Sequence, residues 1–308
     1  MMINLHHLRL FAAVVDNQGF TKAASALRLS QPAISKSLNE LERQLHVKLL
    51  DRSGRSVRMT DAGRTLYERA SELFGVERVA EQELRELRGL KRGLLRIGAS
   101  TTIATYMLPV VLGRFHMRYP RVRIQTTAAN TRTVLRMLLA FKVDVALVEG
   151  PVSHPRVEVR SWREDELVVI AAPDHPLCFR DGVDVQHLAE QTFLVREPGS
   201  GTREVSERAL AVHGVRLSRT MRVGGTEAIK QGVAAGLGLA IVSRAAAADQ
   251  LALRKIAIVP VTGLSIRRSL TQLTLRGSSP TPAARELGAL LNEASEDRAG
   301  EGHEKTTE

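Results

Sequence analysis

The sequence contains little that could form a covalent framework or cross a membrane. Its single cysteine, Cys178, can form neither an internal disulfide nor a thiolate metal cluster, so it gives no sign of an oxidising compartment. The most apolar stretches, residues 167–173 and 232–242, are far shorter than the ~20 residues that a membrane-spanning helix needs. Residues 1–15 place polar side chains between apolar ones, unlike a secretory signal. We therefore expect a cytoplasmic protein, with a redox role for the lone thiol left open.

Positive charge is the first feature that points to a partner. The 308 residues include 44 Lys and Arg against 33 Asp and Glu, a formal net charge of +11. Residues 1–60 hold nine basic and four acidic side chains, so the basic excess is concentrated at the N-terminus. This distribution predicts a polyanionic partner and a nucleic-acid-binding module at that end. Ordinary solvated helix faces would give the same count, so motifs must decide.

Apolar spacing in residues 1–60 predicts three short helices. Thr21 is a candidate N-cap of the second helix, and residues 28–30 form a tight connection to the third. Ser30 can cap the third helix, and Pro32 fits its first turn because a missing N–H costs little there. Two helices joined by so short a turn indicate a helix-turn-helix, whose second helix enters the DNA major groove. A helical hairpin with a routine polar face is the alternative.

Polar and basic side chains near the start of the third helix are candidate DNA contacts. Gln and Asn can pair two groups with adenine, Ser can bond to a base or a phosphate, and Lys suits guanine or phosphate. Residues 48–60 predict two short arms around a Ser53-Gly54 turn, typical of a wing that reaches phosphates or the minor groove. The predicted DNA-binding residues are Thr21, Ser30, Gln31, Pro32, Ser35, Lys36, Asn39, Arg43, Arg52, Arg55 and Arg58.

The order of short motifs in residues 8–63 resembles the winged helix-turn-helix of the LysR-type transcriptional regulators. The motifs are LRLFAAV from position 8, GFTKAA from 19, LSQPAIS from 29, LE from 41, LLDR from 49 and MTDAG from 59. The resemblance implies a DNA-binding domain at 1–60, a helix that pairs subunits, and a two-lobed, periplasmic-binding-protein-like α/β domain that binds an effector. It also implies promoter DNA, a second copy of the chain and RNA polymerase as partners.

Residues 61–92 lack proline and predict one long, charged linker helix. A seven-residue apolar repeat with its complementary offset comprises Leu66, Leu73, Val76, Ala80, Leu87 and Leu90. Arg69 and Glu83 interrupt that offset, so the seam is imperfect. The repeat favours pairing with another helix, in a homodimer or a homotetramer, and each symmetric dimer would present two reading heads to a palindromic site. Docking of the helix on its own domain is the alternative.

Strand and helix patterns alternate over residues 94–148 and again over 167–242. Alternation at this spacing predicts a mostly parallel sheet covered by helices, and two such units predict two lobes around a cleft. The resemblance places the crossovers between lobes near 162–166 and 265–268. We assign residues 93–292 to an effector-binding regulatory domain. Residues 293–308 have no large apolar side chain and predict a disordered tail.

Hydroxyl-bearing segments follow three predicted strands, where open α/β sheets bind ligands and helix N-termini point. The segments are residues 98–102, 129–131 and 196–202, and the last adds glycine N–H groups. Such donors suit a small anion. Each segment alone is explained by an N-cap and a turn, but three at corresponding strand ends favour a site. The predicted effector-binding residues are Ser100, Thr101, Thr102, Asn130, Thr131, Ser200, Gly201 and Thr202.

Two of these segments carry a further resemblance. Ser100 and Thr102 occupy the usual effector-contact position of the LysR family. The EPGSGT run at 197–202 is similar to that of LysR-type regulators of sulfur and carbon assimilation, whose effectors are small oxyanions or phosphorylated metabolites.

Enzyme hypotheses lack the residues they need. The sequence contains no Walker-type phosphate loop, no nucleophile elbow, and no dinucleotide fingerprint at 232–238. The nine histidines have no partners at metal-ligand spacing. We therefore expect no catalytic residue, no metal and no cofactor beyond the effector. A solute-binding receptor and an α/β enzyme acting on a small anion are the alternatives. The basic N-terminal module and the lack of a secretory signal argue against the receptor, and the lack of a nucleophile, metal site or cofactor loop argues against the enzyme.

Overall fold

The computed structural model describes residues 2–51, 57–87 and 93–303. The chain divides into two compact units, Met1–Glu81 and Gln82–Glu308. No helix in the described part of the chain is long and apolar enough to cross a membrane.

The N-terminal unit is helical, with one small antiparallel sheet. Its apolar residues recur at helical spacing, so Phe11, Ile34 and Leu38 meet in a core where each is fully buried. The predicted three helices and two arms are confirmed, with Leu50 opposite Met59 in the arms. The elements are α1 (Leu5–Asp16), α2 (Phe20–Leu27), α3 (Gln31–Leu45), β1 (Leu50–Asp51), β2 (Arg58–Met59) and α4 (Asp61–Leu87).

Two helix starts in this unit differ in how they are capped. The Ser30 hydroxyl accepts a hydrogen bond from the Ala33 amide at 3.3 Å, so the predicted cap of α3 is confirmed. The predicted cap of α2 by Thr21 is wrong, since that helix starts two residues earlier than predicted and Gly19 holds the cap position. Phe20 packs against the apolar core, which draws it into the first turn.

The start of α4 explains the MTDAG motif. The Thr60 hydroxyl donates to the Lys48 carbonyl at 2.6 Å and accepts from the Gly63 amide at 3.0 Å. A Cβ at position 63 would lie 2.0 Å from the Leu49 carbonyl oxygen, so only glycine permits this close approach. The predicted linker helix is described as far as Leu87, and residues 88–92, with Leu90, lie outside the described residues.

The first lobe of the C-terminal unit is a parallel sheet in the order β4-β3-β5, covered by helices. Its core includes Ile97, Phe115 and Leu147, all fully buried. The elements before the crossover are β3 (Leu94–Ser100), α5 (Thr101–Tyr106), α6 (Leu108–Arg118), β4 (Arg123–Ala129), α7 (Thr131–Leu139) and β5 (Val145–Glu149).

Two long strands join this lobe to the second one. They are β6 (Val157–Ala171) and, after the second lobe is complete, β13 (Ile266–Leu275). They pair antiparallel over their whole shared length, and β13 also runs antiparallel to β5. The crossovers expected from the resemblance fall on these strands. The sheet is therefore more mixed than the predicted parallel one, because the chain leaves and re-enters the first lobe in opposite directions.

The second lobe repeats the α/β pattern. Here β8 pairs in parallel with β9. A bridge between Phe193 and Leu239 attaches this pair to residues 240–243, a strand that runs antiparallel to β6. The elements are β7 (Val183–Asp184), β8 (Thr192–Val195), α8 (Gly201–Val212), β9 (Arg219–Arg222), α9 (Thr226–Ala234), β10 (Ala240–Ser243), α10 (Arg244–Ala252), β11 (Ala257–Ile258) and β12 (Val261–Thr262).

The C-terminal segment departs from its predicted disorder. A final helix, α11 (Pro282–His303), buries Leu287 and Leu291 completely against the first lobe. The tail expected to be disordered from 293 is helical as far as 303, and 304–308 lie outside the described residues. Docking of the first turns removes the cost of nucleating the helix, which alanine and glutamate then extend.

Candidate functional site

The start of α3 presents a polar surface to solvent. The helix turns Ile34 and Leu38 into the core, so the residues between them face outward. A shallow open depression on this surface is lined by Pro32, Ser35, Lys36, Asn39, Glu40 and Arg43. Five of these six residues belong to the predicted DNA-binding set, and the structure brings them together on one helix face.

Glu40 adds a negative charge that the sequence analysis did not assign to this surface. Its carboxylate lies 2.5 Å from the Arg43 guanidinium, one helical turn away. The hydrogen bond from Arg43 lowers the pKa of Glu40, and the same bond raises the pKa of Arg43. Arg43 is thus held on its own helix.

The other predicted DNA contacts surround this face. Gln31, Thr21 and Ser30 are exposed, although Ser30 is also the cap of α3. Arg58 is exposed on β2. Arg52 and Arg55, predicted for the tip of the wing, lie outside the described residues.

A buried carboxylate fixes the strand that leads into the wing. Glu42 is 3% exposed, and one of its oxygens accepts from the amides of Leu49 at 2.8 Å and Leu50 at 3.2 Å. Lys48 pairs with its other oxygen at 3.0 Å. Burial raises the pKa of Glu42, but these hydrogen bonds outweigh it and hold that pKa below its usual value. Sequence reasoning missed this role of the Leu41-Glu42 pair.

In the C-terminal unit, some predicted effector contacts serve the backbone. Asn130 caps α7 by accepting from the Thr133 amide at 3.0 Å, and Ser200 caps α8 by accepting from the Arg203 amide. The Thr131 hydroxyl donates to the Glu149 carbonyl at 2.9 Å. Gly201 abuts the same carbonyl oxygen, where a Cβ would lie at 1.9 Å.

Three other predicted residues converge on a carboxylate. The hydroxyl of Ser100 donates to one oxygen of Glu149. The hydroxyls of Thr102 and Thr202 donate to the other oxygen at 3.5 and 3.3 Å. Glu149 is 2% exposed at the end of β5, and Thr202 reaches it from the second lobe. The structure therefore assembles the predicted donors around an anion that belongs to the chain itself.

Arg268 supplies the cation nearest to this carboxylate among the described residues. Its Nη1 lies 3.8 Å from Glu149 and donates to the Thr202 hydroxyl at 2.8 Å. Its Nε donates to Asp165 at 2.8 Å, and Ser243 donates to the other oxygen of Asp165 at 2.7 Å. Arg268 is thus engaged mainly with Asp165.

Arg196 connects the two lobes beside this cluster. It is 6% exposed and donates to the hydroxyls of Thr226 at 3.1 Å and Thr101 at 3.3 Å, the latter in the first lobe. Its guanidinium also donates to Glu197, one of whose oxygens accepts from Asn130 at 3.3 Å. Burial raises the pKa of Glu197, but the bonds from Arg196 hold that pKa below its usual value.

The charge on Glu149 is less well compensated. Burial removes its carboxylate from water and raises its pKa above the usual value, although Arg268 and Arg196 lower it. Hydroxyl donors and a cation at 3.8 Å do not fully replace the lost hydration.

The missed residues did carry a signal. Glu149 directly follows the apolar run VALV, so it stands at the end of a buried strand. Ser100 and Asn130 were selected as candidates because they stand at the ends of strands. Arg196 lies in a segment already selected for its hydroxyls and glycines. Arg268 is separated from Glu149 by more than one hundred residues, and only the pairing of β13 with β5 brings them together.

Metal and thiol chemistry have no clear place in the described residues. No group of three or more His, Cys, Asp or Glu that could hold a metal occurs within them. Cys178 is partly buried, and burial together with Asp174 raises the pKa of its thiol, which disfavours a reactive thiolate.

A winged helix-turn-helix, a helical linker and a two-lobed α/β domain with a polar site between its lobes define a ligand-responsive DNA-binding regulator. The bacterial regulatory helix-turn-helix model of the lysR family matches residues 5–64, and the LysR substrate binding domain model matches residues 88–296. The chain belongs to the LysR family of transcriptional regulators.

Named relatives agree with this placement. A RuBisCO operon transcriptional regulator of Allochromatium vinosum is 35% identical over 284 residues, which cover 92% of this chain and 94% of that protein. The uncharacterized HTH-type transcriptional regulator YeiE of Escherichia coli K12 is 38% identical over 287 residues, which cover 93% and 96% of the two chains. The relatives are regulators and not enzymes, so the chain is a DNA-binding regulator with an effector-binding domain.

Solved structures share the fold. Full-length OxyR from Pseudomonas aeruginosa superposes with a TM-score of 0.73 at 22% identity, covering 95% of this chain and 94% of that one. The CcmR regulatory domain of Synechocystis, in complex with 2-PG, has a TM-score of 0.62 at 26% identity and covers 66% and 98%.

Proposed function

We propose that the first turns of α3 read base edges in the major groove, while basic side chains around them contact phosphates. The observation that carries this assignment is the exposed polar face of α3, set on a helix whose opposite face is fully buried. Gln31 and Asn39 are the base-reading candidates, and Lys36 and Arg58 are phosphate candidates. Thr21, Ser30, Pro32, Ser35, Arg43, Arg52 and Arg55 complete the proposed surface.

Substitution of Gln31 tests base reading. Gln31→Ala should relax discrimination at about one base pair by ~1–3 kcal/mol, because one bidentate contact is lost. Fluorescence anisotropy with the promoter site and with single-base variants measures the effect. Gln44→Ala is the matched control, since Gln44 lies at the far end of α3 and donates to the Met2 carbonyl. Equal losses on specific and random DNA would contradict the role of Gln31.

Lys36→Ala and Arg58→Ala test the phosphate contacts. Each should weaken binding to all sequences alike and reduce the slope of log affinity against log salt by about one, because one fewer counterion is released. A loss confined to the promoter site would contradict phosphate contact.

We also propose that the cleft between the lobes binds a small anion, without a further cofactor. The carrying observation is that the hydroxyls of Ser100, Thr102 and Thr202 already surround a carboxylate, so the geometry suits an oxyanion. The starts of α7 and α8 add backbone donors at Thr131 and Gly201. Thr101, Asn130 and Ser200 complete the proposed set. The complex of CcmR with 2-PG supports a small ligand in such a domain.

Loss of hydroxyls tests the cleft. The full-length double variant Ser100→Ala with Thr202→Ala should lose the rise in melting temperature that small oxyanions give the wild type, yet bind promoter DNA normally. Thr105→Ala, at an exposed position on α5, is the control. A normal anion response in the double variant would refute this location.

We propose that α4 pairs two copies of the chain. Leu66 packs on the N-terminal core, whereas Leu73 and Val76 are 41% and 63% exposed. Such exposed apolar side chains at repeat positions favour a second helix as partner. Sedimentation of Leu73→Lys with Val76→Lys should show monomers, and an unchanged oligomer would contradict this pairing.

In the proposed mechanism the effector shifts the arrangement of subunits, which changes DNA bending and the access of RNA polymerase. Action on promoter DNA supports a cytoplasmic location.

A further inference from the structure

Glu149 occupies the place of a ligand in the cleft. Its two oxygens accept hydrogen bonds from the hydroxyls of Ser100 on β3, Thr102 on α5 and Thr202 on α8. An incoming oxyanion would need the same donors. This inference rests on the proposed effector cleft and concerns which anions that cleft accepts.

The charges that face this carboxylate leave no full counter-charge for a second anion. Arg268 on β13 is hydrogen-bonded to Asp165 on β6, and Arg196, after β8, is hydrogen-bonded to Glu197. These two cations thus stand against three carboxylates, of which Glu149 and Asp165 are buried and Glu197 is partly exposed. An oxyanion placed beside ionised Glu149 would add negative charge where the dielectric constant is low.

A shared proton resolves this conflict. When two acidic groups occupy one site, the first proton is held tightly and lies between them. We propose that Glu149 is a specificity-determining residue that admits an oxyanion only together with one proton, shared between its carboxylate and the ligand. The favoured ligands are oxyanions that still carry such a proton near neutral pH, such as inorganic phosphate. Sulfate brings none near neutral pH, and a phosphate monoester, whose second pKa is about 6, brings none at pH 8, so both bind only when the proton comes from solvent.

Calorimetric titration of the full-length protein with sulfate, inorganic phosphate and methyl phosphate between pH 6 and 8 tests this. Sulfate affinity of the wild type should fall about tenfold per pH unit, with uptake of about one proton in buffers of different ionisation enthalpy. Phosphate affinity should be nearly flat above its own pKa, so at pH 8 phosphate should be preferred at least about tenfold. Methyl phosphate, which is a dianion without a proton at pH 8 because its second pKa is about 6, should lose affinity with rising pH as sulfate does.

Glu149→Gln keeps the shape of the side chain and removes its charge. In this variant sulfate binding should lose its pH dependence, tighten about tenfold or more at pH 8, and no longer rank below phosphate. Glu190→Gln, exposed in the same unit, should behave as wild type.

The outcomes separate the inference from the function beneath it. Sulfate binding by the wild type without proton uptake, or unchanged selectivity in Glu149→Gln, would overturn the role of Glu149 and leave an anion-binding cleft standing. If none of these anions bound to either protein at any pH, the proposed anionic effector would itself fail. Proton uptake on sulfate binding by the wild type tests the role of Glu149 even if the Glu149→Gln variant does not fold.

Discussion

Two buried glutamates, one in each unit, are held in opposite ways. Glu42 accepts two backbone N–H bonds and pairs with Lys48, which lowers its pKa against the effect of burial. Glu149 receives hydroxyls and stands 3.8 Å from a cation engaged elsewhere, and burial raises its pKa. In the N-terminal unit the buried charge supports the fold, while the proposed DNA contacts are polar side chains on the surface. In the C-terminal unit the buried charge lies within the proposed effector site.

Removal of Arg268 should have the largest effect on stability, because it takes the cation away from the less compensated glutamate. Arg268→Ala leaves Glu149 and Asp165 buried without their shared cation, which should lower the free energy of unfolding by ~3–5 kcal/mol. Chemical denaturation at neutral pH measures it. Arg267→Ala, exposed one residue earlier on the same strand, should be close to neutral. A small loss at 268 would mean that water or protonation already compensates the two carboxylates.

The two glutamates should give opposite pH dependences. Glu42→Gln should cost ~1.5–3 kcal/mol at neutral pH, because charge-assisted hydrogen bonds are lost. The depressed pKa of Glu42 means that its contribution is full above the unfolded value near 4.5 and fades as the pH falls below it. The raised pKa of Glu149 means that the wild type loses stability relative to Glu149→Gln as the pH rises above 4.5. Denaturation of both variants from pH 3 to 8 checks the signs, and parallel slopes would contradict them.

A side chain at position 201 should lower the free energy of unfolding by a smaller amount. Gly201→Ala places a Cβ 1.9 Å from the Glu149 carbonyl oxygen and should destabilise the protein by ~1–3 kcal/mol through forced backbone shifts. Gly113→Ala, within α6 and facing open space, should instead stabilise it by ~0.5–1 kcal/mol. Thermal denaturation compares them. Similar melting temperatures for both variants would show that the contact at Gly201 is easily relieved.

The smallest effect on stability should come from the surface of α3. Glu40→Ala removes an exposed ion pair, so the melting temperature should hardly change. Binding to random DNA should tighten, because a negative charge is lost and Arg43 is released for phosphate contact. Glu207→Ala breaks a comparable exposed pair with Arg203 in the other unit and should leave DNA binding unchanged. Weaker binding by Glu40→Ala would mean that Glu40 positions Arg43 for contact.

By itself the sequence determined the elements whose causes are local. Apolar spacing specified α1 to α3, Ser30 and Pro32 marked the start of α3, and alternating patterns identified two α/β lobes. Such features depend on residues within one or two turns of each other, so they are legible in a single chain. Local reasoning failed where packing intervened, as at Phe20, which extends α2, and at Leu287 and Leu291, which anchor a helix where disorder was expected.

Tertiary packing sets which group the predicted donors face. Ser100, Thr102 and Thr202 were identifiable from the strand-end rule, but their common partner Glu149 and the nearby Arg268 come from separate strands. Their encounter depends on the pairing of β3, β5 and β13, and the charge balance of the cleft follows from that pairing and from burial. Position along the chain shows where a helix begins, whereas compensation of a buried charge is set by groups distant in sequence and adjacent in space.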